Sequence, residues 1–589
     1  MTYYSDWINQ ILIFAIFAMS LNLLMGYAGQ VSVAHAAFGG VGGYAAGYLS
    51  AHSGTPFLLA IVIGVAIAAV IGGIISLPAL RLSQEYLVLL TLAAATILIS
   101  IVTSVDIFGG ALGLQGIQPA ELFGKQLLLP EDWLVPLIVA AVLVYLVCWR
   151  LGESPYGRVL RGIREDEMVT RALGKNVFTY KVAAFAITAG MAGLAGALLA
   201  FYNGLAIPSQ YGFSYAMAII AMVILGGAGN LNGSVVGAIV VVGSEPFLQK
   251  VVNIAPDKAS LIRLLLYGLL LVVVLLVRPQ GIVPERLQRR GLLGRLLRRD
   301  EDEVPEATGP PAASEAASAP SEPVASGNGA APAGEAGQVV VEVNGLEKAF
   351  GGIQAVNGLD IELAAGQITG LIGPNGAGKT TVFNLLTGSI QPDAGTVVLR
   401  GEDITGRPPN RVAQKGMVRS FQDVRVYPRL SALQNVLMGI PDQPGEHALP
   451  LFLAPWRVIR GERQARRRAL ECLGFVGLAD KAHESAGEMA FGEQKLVALA
   501  RLLATDADIL LLDEPASGID TRWVDRMLEA IERLRTEGKI ICIVEHNLHV
   551  VERIADRIFF MDGGKVAAKG TMEELRSQKH LVEAYFGVV

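Results

Sequence analysis

A glycine-rich stretch in the second half of the chain has the residue types and spacing of a phosphate-binding loop. Residues 373–381 read Gly-Pro-Asn-Gly-Ala-Gly-Lys-Thr-Thr, which fits the pattern G-x-x-x-x-G-K-[ST]. Small residues let the backbone turn tightly, so that its N–H groups point at phosphate oxygens. In such a loop Lys379 reaches the β- and γ-phosphates, and the Thr380 hydroxyl reaches Mg²⁺. We therefore expect a nucleotide site formed by Gly373, Asn375, Gly376, Gly378, Lys379, Thr380 and Thr381.

Two carboxylates end an apolar run farther along the chain. Residues 509–514 read Ile-Leu-Leu-Leu-Asp-Glu, the pattern of a buried strand that ends at a polar edge. Asp513 is suited to hold Mg²⁺, directly or through water, and Glu514 is suited to accept a proton from an attacking water. A strand end that only meets solvent has the same pattern. The position about 130 residues after a phosphate loop favours the catalytic interpretation.

Four more motifs lie around these elements, in an order that resembles the ATPase of ABC transporters over residues 339–589. They are Arg419-Ser420-Phe421-Gln422, Met489-Ala490-Phe491-Gly492-Glu493-Gln494, Ser517-Gly518-Ile519-Asp520 and Val544-Glu545-His546.

The resemblance implies an α/β P-loop domain of the ABC type that binds ATP and Mg²⁺ and hydrolyses ATP to drive transport. It implies that Gln422 senses Mg²⁺ and the membrane domain, and that His546 contacts the γ-phosphate. Phe350, in Lys-Ala-Phe-Gly-Gly, is similar to the aromatic residue that stacks on adenine. An ordinary aromatic at a strand end remains the alternative for Phe350.

The motif at 489–493 departs from the usual ABC signature, Leu-Ser-Gly-Gly-Gln. Ala490 stands where the family has a serine that donates a hydroxyl to the γ-phosphate, while Gly492 and the start of a helix remain. A helix N-terminus still favours an anion through its dipole and free N–H groups. The resemblance implies that Ala490, Gly492 and Glu493 act in trans, on nucleotide held by a second subunit.

The first half of the chain has the composition of a membrane domain. The mean hydropathy of the chain is +0.47, and 52% of its residues are hydrophobic against 17% charged. No Asp, Glu, Lys or Arg occurs between Trp7 and Leu80, or between Val182 and Ser244. Because one span needs only about 20 apolar residues, each stretch must hold several spans. We expect helices near 8–26, 33–51, 57–80, 86–104, 133–150, 182–204, 213–229, 233–252 and 261–277.

Basic residues predict the orientation of this polytopic α-helical domain. Arg and Lys crowd the segment 150–181 and the segment 278–299, which we expect to be cytoplasmic. The segment near 106–132 is mainly acidic and fits the outer side. The basic run after 278 is equally suited to attract anionic lipid head groups. The formal net charge of −5 gives no reason to expect nucleic-acid binding, and three widely spaced cysteines suggest neither disulfides nor a metal site.

Residues 300–337 are rich in Ala, Pro, Glu, Ser and Gly and lack aromatic residues, which is typical of a disordered linker. We therefore divide the chain into a transmembrane domain at 1–285, a basic juxtamembrane segment and linker at 286–338, and an ATP-binding domain at 339–589.

The membrane half resembles the branched-chain amino acid permease family over residues 1–285. The residues that carry this resemblance are Leu21-Asn22-Leu23-Leu24-Met25-Gly26-Tyr27-Ala28-Gly29-Gln30-Val31-Ser32, His35-Ala36-Ala37-Phe38, Leu80-Arg81-Leu82, Gly157-Arg158, Arg164-Glu165-Asp166-Glu167, Leu225-Gly226-Gly227 and Arg278-Pro279-Gln280-Gly281. The ATPase half resembles the ATPase of the same system, down to Glu583-Ala584-Tyr585 near the C-terminus.

The two resemblances imply a permease subunit fused to the ATPase subunit of a leucine/isoleucine/valine importer in a bacterial inner membrane. A separate periplasmic protein would recognise the substrate, and residues 164–174, with Glu165, Glu167 and Gly174, would couple the halves. Import of urea, amides or aromatic acids remains open, as does a membrane-anchored regulatory ATPase. For the intramembrane polar residues Asn22, Gln30, Ser32 and His35, interhelical hydrogen bonds and substrate contact both remain open.

One permease and one ATPase make half a transporter. A second permease and a second ATPase are needed, as different chains or as another copy of this one. The altered signature at Ala490 favours a heteromer over a homodimer.

Overall fold

A computed structural model of the chain describes residues 2–79, 84–250, 268–269, 272–274, 276–285 and 337–578. Several sequence features named above lie outside these ranges: Leu80-Arg81-Leu82, the basic residues from 286 onward, the linker at 300–336 and Glu583-Ala584-Tyr585. Ten helices and one short hairpin form the described membrane half. The helices are α1 Thr2–Asn22, α2 His35–Ser53, α3 Phe57–Ala79, α4 Gln84–Ser104, α5 Pro130–Gly152, α6 Pro155–Glu165, α7 Glu167–Ala172, α8 Val177–Asn203, α9 Phe213–Gly226 and α10 Leu231–Lys250, and the hairpin strands are β1 Glu121–Leu122 and β2 Lys125–Gln126.

Within the described ranges, six segments are long and apolar enough to cross a membrane. They are Tyr4–Tyr27, Phe57–Pro78, Glu85–Ser104, Pro130–Gly152, Val177–Asn203 and Pro208–Gly226, and Leu231–Ser244 is a shorter apolar helix. Eight of the nine expected helices lie wholly or largely within the described residues, and six of these coincide with the candidate spans. The expected helix at 233–252 overlaps α10, whose apolar part Leu231–Ser244 is shorter than a span. The expected helix at 33–51 exists as α2 but does not qualify as a span, and 261–277 lies mostly outside the described residues.

The composition of α2 is explained by its position. It packs against both α3 and α8, and most of its residues are buried. Its glycines permit contact with α8 at backbone distance: a Cβ on Gly42 would lie 2.3 Å from the carbonyl oxygen of Gly193, and one on Gly196 would lie 1.9 Å from that of Gly39. Small residues at such crossings are typical of membrane helix pairs. A helix enclosed by other helices does not need the uniformly apolar surface that lipid requires.

The cassette, which we define as residues 339–578, contains two sheets. Its strands are β3 Val339–Phe350, β4 Ile353–Ala364, β5 Ile368–Ile372, β6 Ala394–Leu399, β7 Glu402–Asp403, β8 Met417–Arg419, β9 Ile509–Asp513, β10 Ile540–Val544, β11 Arg557–Asp562 and β12 Lys565–Gly570. An antiparallel sheet has the order β4-β3-β6-β7, and a mixed sheet has the order β12-β11-β5-β10-β9-β8. Strands β11, β5, β10, β9 and β8 are parallel to one another.

The parallel strands bring distant motifs to one edge. The phosphate loop follows β5, His546 follows β10, Glu514 follows β9 and Gln422 follows β8. Strands β5, β9 and β10 are buried throughout, so their apolar side chains fix the sheet while the loops after them remain polar. Ligands of open α/β sheets bind at these carboxyl ends. The cassette helices are α11 Lys379–Leu386, α12 Pro409–Gln414, α13 Ala432–Leu437, α14 Ala448–Leu453, α15 Pro455–Phe475, α16 Phe491–Leu503, α17 Thr521–Thr536, α18 Leu548–Ile554 and α19 Met572–Arg576.

The membrane half contacts the cassette of the same chain through α6, α7 and the residues around them. Asp166 forms a 3.0 Å ion pair with Arg425, and the Thr170 hydroxyl lies 2.8 Å from the hydroxyl of Tyr427. Each expected coupling residue takes part or lies close by. Glu165 accepts a hydrogen bond from the backbone N–H of Arg429, the carbonyl of Gly174 accepts one from Gln414, and Glu167 pairs with Arg171 and Lys181 within the membrane half.

Two further ion pairs join the halves beside this contact. The Lys175 ammonium group pairs with Glu446, and both side chains are almost fully buried. Tyr180, in the first turn of α8, donates a hydrogen bond to the second oxygen of Glu446 at 3.1 Å. Arg158 pairs with Glu462 at 2.7 Å. Burial opposes ionisation of Glu462, but the Arg158 charge outweighs it and lowers the pKa of the carboxyl group.

The buried pair predicts which substitution separates the halves. With a protease site inserted at 300–337 and cleaved, we expect Lys175→Ala to reduce co-purification of the two fragments, because Glu446 keeps a buried charge without its cation. Breaking such a pair from one side costs about 3–5 kcal/mol. Arg171→Ala is the matched control, since Arg171 is half exposed and its ion pair among the described residues is with Glu167 of its own half. Equal recovery of both variants would show that the pair does not hold the halves together.

Candidate nucleotide site

The phosphate loop joins β5 to α11 in a conformation that requires glycine. Gly373, Gly376 and Gly378 have φ values of 150°, 85° and 97°. A Cβ on Gly373 or Gly378 would also lie 2.1 Å from the carbonyl oxygens of Met561 and Ala355 respectively. The Lys379 ammonium group bends back over the loop and donates to the carbonyls of Gly373 and Pro374 at 2.8 and 2.9 Å. Burial lowers the pKa of Lys379, whereas Glu514 and Asp513 oppose that shift.

Asp513, at the end of β9, is held by the strand beside it. Arg419, at the end of β8, donates to one carboxylate oxygen at 2.8 Å, and both side chains are buried. The backbone N–H of Asp513 donates to the hydroxyl of Ser420 at 2.8 Å. Arg419 also donates to Asn384 of α11 at 2.5 Å. Burial raises the pKa of Asp513, and the Arg419 guanidinium opposes that shift.

The second carboxylate oxygen of Asp513 is suited to a cation. This oxygen, Oδ1, is buried and has no hydrogen-bond partner among the described residues. A buried acceptor without a partner is costly, and a hard cation with oxygen ligands removes the cost. Thr380 is the second residue of α11, directly after Lys379, and it is exposed. The residues present therefore fit Mg²⁺, with Asp513 and Thr380 as the groups that hold it.

Glu514 adopts a conformation that aims it along the sheet edge. Its φ is 48°, in a region that non-glycine residues seldom occupy, and its N–H donates to the carbonyl of Val544 at 2.8 Å. Its carboxylate lies 2.7 Å from Nε2 of His546, which follows β10. The two residues that the sequence assigns to proton transfer and to γ-phosphate contact therefore touch each other. Strain of this kind is often found at functional positions.

Two charged residues that the sequence analysis did not single out hold the loop after Glu514. Lys495 of α16 donates to the carbonyls of Glu514 and Ser517 at 2.8 and 2.6 Å. Glu545 accepts a hydrogen bond from the N–H of Ala516 at 2.8 Å, and burial raises its pKa. Glu545 was part of a quoted motif and Lys495 directly follows another. Their hydrogen bonds go to backbone groups, which every residue type has, so no sequence pattern indicates them.

The altered signature begins α16. A Cβ on Gly492 would lie 2.4 Å from the Trp523 ring, so this position admits only glycine without rearrangement. Glu493 is buried; it accepts a hydrogen bond from the N–H of Ala490 at 3.1 Å and one from Lys481 at 2.8 Å. Glu493 therefore caps the first turn of α16. Phe491, the first residue of this helix, is half exposed.

Gln422 and Phe350 lie at the surface of the cassette. Gln422 is exposed on the loop after β8, and Phe350 is 45% exposed at the end of β3. Asn375 and Gly376 are also exposed, and Thr381 is half-buried. A cavity of about 40 Å³ runs from α7 of the membrane half to Asp513 and Glu514, between the loop after β8 and α16. Asp513 and Glu514 therefore line the same cavity as residues of the membrane half.

Two of the four intramembrane polar residues named from the sequence, Asn22 and His35, form hydrogen bonds to other helices. The Asn22 amide donates to Ser234 and to the carbonyl of Asn230, and its oxygen accepts the N–H of Gly229 at 2.8 Å. His35 lies 2.8 Å from Ser20, and Gln30 donates to the carbonyl of Ala28. Interhelical hydrogen bonding thus accounts for Asn22. Buried Ser32 Oγ and His35 Nδ1 have no partner within the described ranges.

Comparisons with known proteins match both halves. Residues 3–275 match the family model for the permease component of the branched-chain amino acid transport system, and residues 356–517 match that of ABC transporters. The ATP-binding protein BraF of high-affinity branched-chain amino acid transport in Pseudomonas aeruginosa is 40% identical over 42% of this chain and 98% of its own length. LivG of Escherichia coli K12, of the same description, is 38% identical over 42% and 98%.

A crystal structure of a nucleotide-free ATP-binding cassette from an ABC transporter is 29% identical to this chain, with a TM-score of 0.38. The match covers 43% of this chain and 100% of that cassette. The sequence relatives are matched over almost their whole length, and the preceding spans match a permease family. The chain is an ATP hydrolase of a multi-pass membrane transporter with its cassette in the cytoplasm, and it belongs to the ABC transporter family, joining a permease domain of the branched-chain amino acid transport type to an ABC cassette.

Proposed function

We propose that this chain is half of an ATP-driven importer of branched-chain or related amino acids. The substrate class comes from the printed functions of BraF and LivG, and from the permease family matched by residues 3–275. We infer three segments: a permease at 1–285, a tether at 286–338 and an ATPase at 339–589. A periplasmic binding protein delivers the substrate, and a second permease and a second ATPase complete the transporter.

One observation carries this proposal: the coupling segment of the permease contacts the loop after β8. Strand β8 pairs with β9, the strand that ends in Asp513. Arg419 and Ser420 hold Asp513, and Arg425, Tyr427 and Arg429 follow them within ten residues. The latter three contact Asp166, Thr170 and Glu165 of the permease half. A change in nucleotide at the sheet edge therefore acts on the part of the cassette that touches the spans. A membrane-anchored regulatory ATPase would not need this contact.

The residues at the sheet edge divide the chemistry among them. The loop N–H groups and Lys379 bind the phosphates, Phe350 stacks on adenine, and Gln422 responds to the nucleotide from the loop beyond β8. Asp513 and Thr380 would hold Mg²⁺, which would supply charge stabilisation to the transferring phosphoryl group. Glu514 takes a proton from water. His546, 2.7 Å away, orients the Glu514 carboxylate. Positioning and charge, rather than covalent chemistry, supply the rate.

Uptake by an assembled transporter tests the proposal. The chain should be co-purified with the permease, ATPase and binding protein encoded beside it and reconstituted into vesicles that contain ATP. We expect accumulation of labelled leucine, isoleucine or valine that depends on the binding protein and on ATP. Accumulation of urea, an amide or an aromatic acid instead would replace the substrate class. An assembled complex that hydrolyses ATP and transports none of them would refute import.

The role of Lys379 is testable on the chain purified without partners. We expect Lys379→Ala to abolish nucleotide binding, because the main cation that faces the β- and γ-phosphates is lost. Titration with a fluorescent ATP analogue measures the affinity. Lys415→Ala is the matched control: Lys415 belongs to the cassette but pairs with Glu402 near the surface. Wild-type affinity of the Lys379 variant would exclude this loop as the nucleotide site.

The role of Glu514 predicts a separation of binding from hydrolysis. Glu514→Gln keeps the shape and loses the proton acceptor, so we expect normal ATP binding and a fall of 10²–10⁴-fold in hydrolysis, roughly 3–5 kcal/mol in barrier. Single-turnover hydrolysis in the reconstituted complex, with the partner's own base removed, isolates this site. Glu529→Gln, on the exposed face of α17, is the control. Near-normal turnover with Glu514→Gln would assign proton transfer to another group.

A further inference from the structure

A patch of exposed apolar side chains covers α14 and the first turns of α15. Leu449, Phe452, Leu453, Trp456 and Ile459 are 72, 47, 72, 60 and 48% exposed. Of the ten large hydrophobic side chains that are exposed in the described cassette, these five fall within eleven consecutive residues. Single exposed apolar residues are normal on a soluble domain, but a contiguous patch marks an interaction site. We call these five residues the apolar patch.

The apolar patch lies where the membrane spans end. Helix α14 packs against α5, whose last residues carry Arg150 toward the cytoplasm. Gly445, three residues before α14, is so close to Pro155 at the start of α6 that a Cβ on it would lie 2.7 Å from the proline ring. Glu446 accepts the hydrogen bond from Tyr180 in the first turn of α8, another span. Two spans therefore meet the cassette directly beside the patch.

Helical spacing sets the orientation of α15. Trp456, Ile459, Arg460, Arg463 and Arg467 share one face at three- and four-residue intervals. All five are exposed. Val458, Ala465 and Ala469 share the opposite face and are buried in the cassette. The outward face is thus apolar where it adjoins the patch and basic along the rest of the helix.

This distribution matches the chemistry of a lipid surface better than that of a protein surface. Helices that lie in a membrane interface combine Trp, Phe and Leu on the buried side with Arg or Lys beside them. Trp is enriched at the level of the lipid head groups, and anionic lipids of the cytoplasmic leaflet attract basic residues. In α15 the acidic residues Glu462 and Glu471 already have arginine partners, Arg158 and Arg466 for the first and Arg468 for the second. Arg460 and Arg467 therefore add positive charge to the outward face.

We propose that the apolar patch inserts into the head-group region of the cytoplasmic leaflet, and that Arg460 and Arg467 face the phosphates of anionic lipids. The cassette then contacts the bilayer itself, in addition to the coupling segment. The patch lies beside the cytoplasmic ends of α5 and α8, and this position, together with its Trp, Leu and Arg side chains, favours the bilayer as the occupant of this surface.

Depth measurement with a spin label tests the proposal on the full chain. The three native cysteines are buried, so Leu453→Cys supplies a selectively reactive thiol. The labelled chain is placed in nanodiscs of phosphatidylethanolamine and phosphatidylglycerol, and collision rates with oxygen and with a water-soluble nickel chelate are compared. Gln464→Cys is the matched control, because it is exposed on the same helix about a quarter turn from the outward face. Phe452→Cys repeats the measurement if the first variant folds poorly, as judged by nucleotide binding.

We expect the ratio of oxygen to nickel collisions to be several-fold higher at 453 than at 464, and to fall when phosphatidylglycerol is replaced by phosphatidylcholine. Equal ratios at the two positions would overturn the proposal, because the patch would then face water. Low collision rates with both reagents at 453 would also overturn it and would assign the patch to a protein partner, such as the second permease.

Discussion

The buried ion pair between Arg419 and Asp513 is the interaction on which the nucleotide site depends. Both side chains are excluded from water, so each charge requires the other: burial lowers the pKa of the guanidinium and raises that of the carboxyl group. Replacing such a pair by apolar residues is often neutral for stability, which indicates that its value here is geometric. Arg419 fixes one oxygen of Asp513 and leaves the other directed at the place where a cation would lie.

The same strand that supplies Arg419 continues into the loop that contacts the membrane half. From Arg419 the chain passes Gln422 and reaches Arg425, Tyr427 and Arg429. The last three residues contact the coupling segment. Arg501 of α16 donates to the carbonyl of Arg425 and stacks over Tyr427, so the signature helix borders the same contact. The loop after β8 therefore joins the nucleotide site to the coupling segment through direct contacts at both of its ends.

Sequence patterns predicted the two domain types and the family, and they failed where the determining contact is distant along the chain. The phosphate loop, the strand that ends in Asp513 and the apolar spans are local patterns with a local physical cause, and the structure has them at the expected positions. Lys175 and Glu446 are 271 residues apart, and no spacing rule links them. The absence of charge predicts helix α2 correctly, but the reason for its many glycines, close packing against α3 and α8, lies in distant parts of the chain. The hydrogen bonds of Lys495 go to the backbone carbonyls of Glu514 and Ser517, which any residue type provides, so the sequence does not indicate them.

The start of α16 bears on whether the complete transporter is symmetric. Ala490 removes a hydroxyl donor, and hydrogen bonds to charged groups contribute about 1.5–3 kcal/mol. The helix N-terminus contributes about 0.3–1 kcal/mol near an anion whichever side chain stands at 490, so it does not replace the serine hydroxyl. Glu493 does not compensate, since its carboxylate is engaged by Lys481 and by the N–H of Ala490. If signatures act across the dimer, two copies of this chain would weaken both nucleotide sites. A partner with a complete signature would leave one weakened site, facing Ala490, and one full site built on Lys379, which favours a heteromer on energetic grounds.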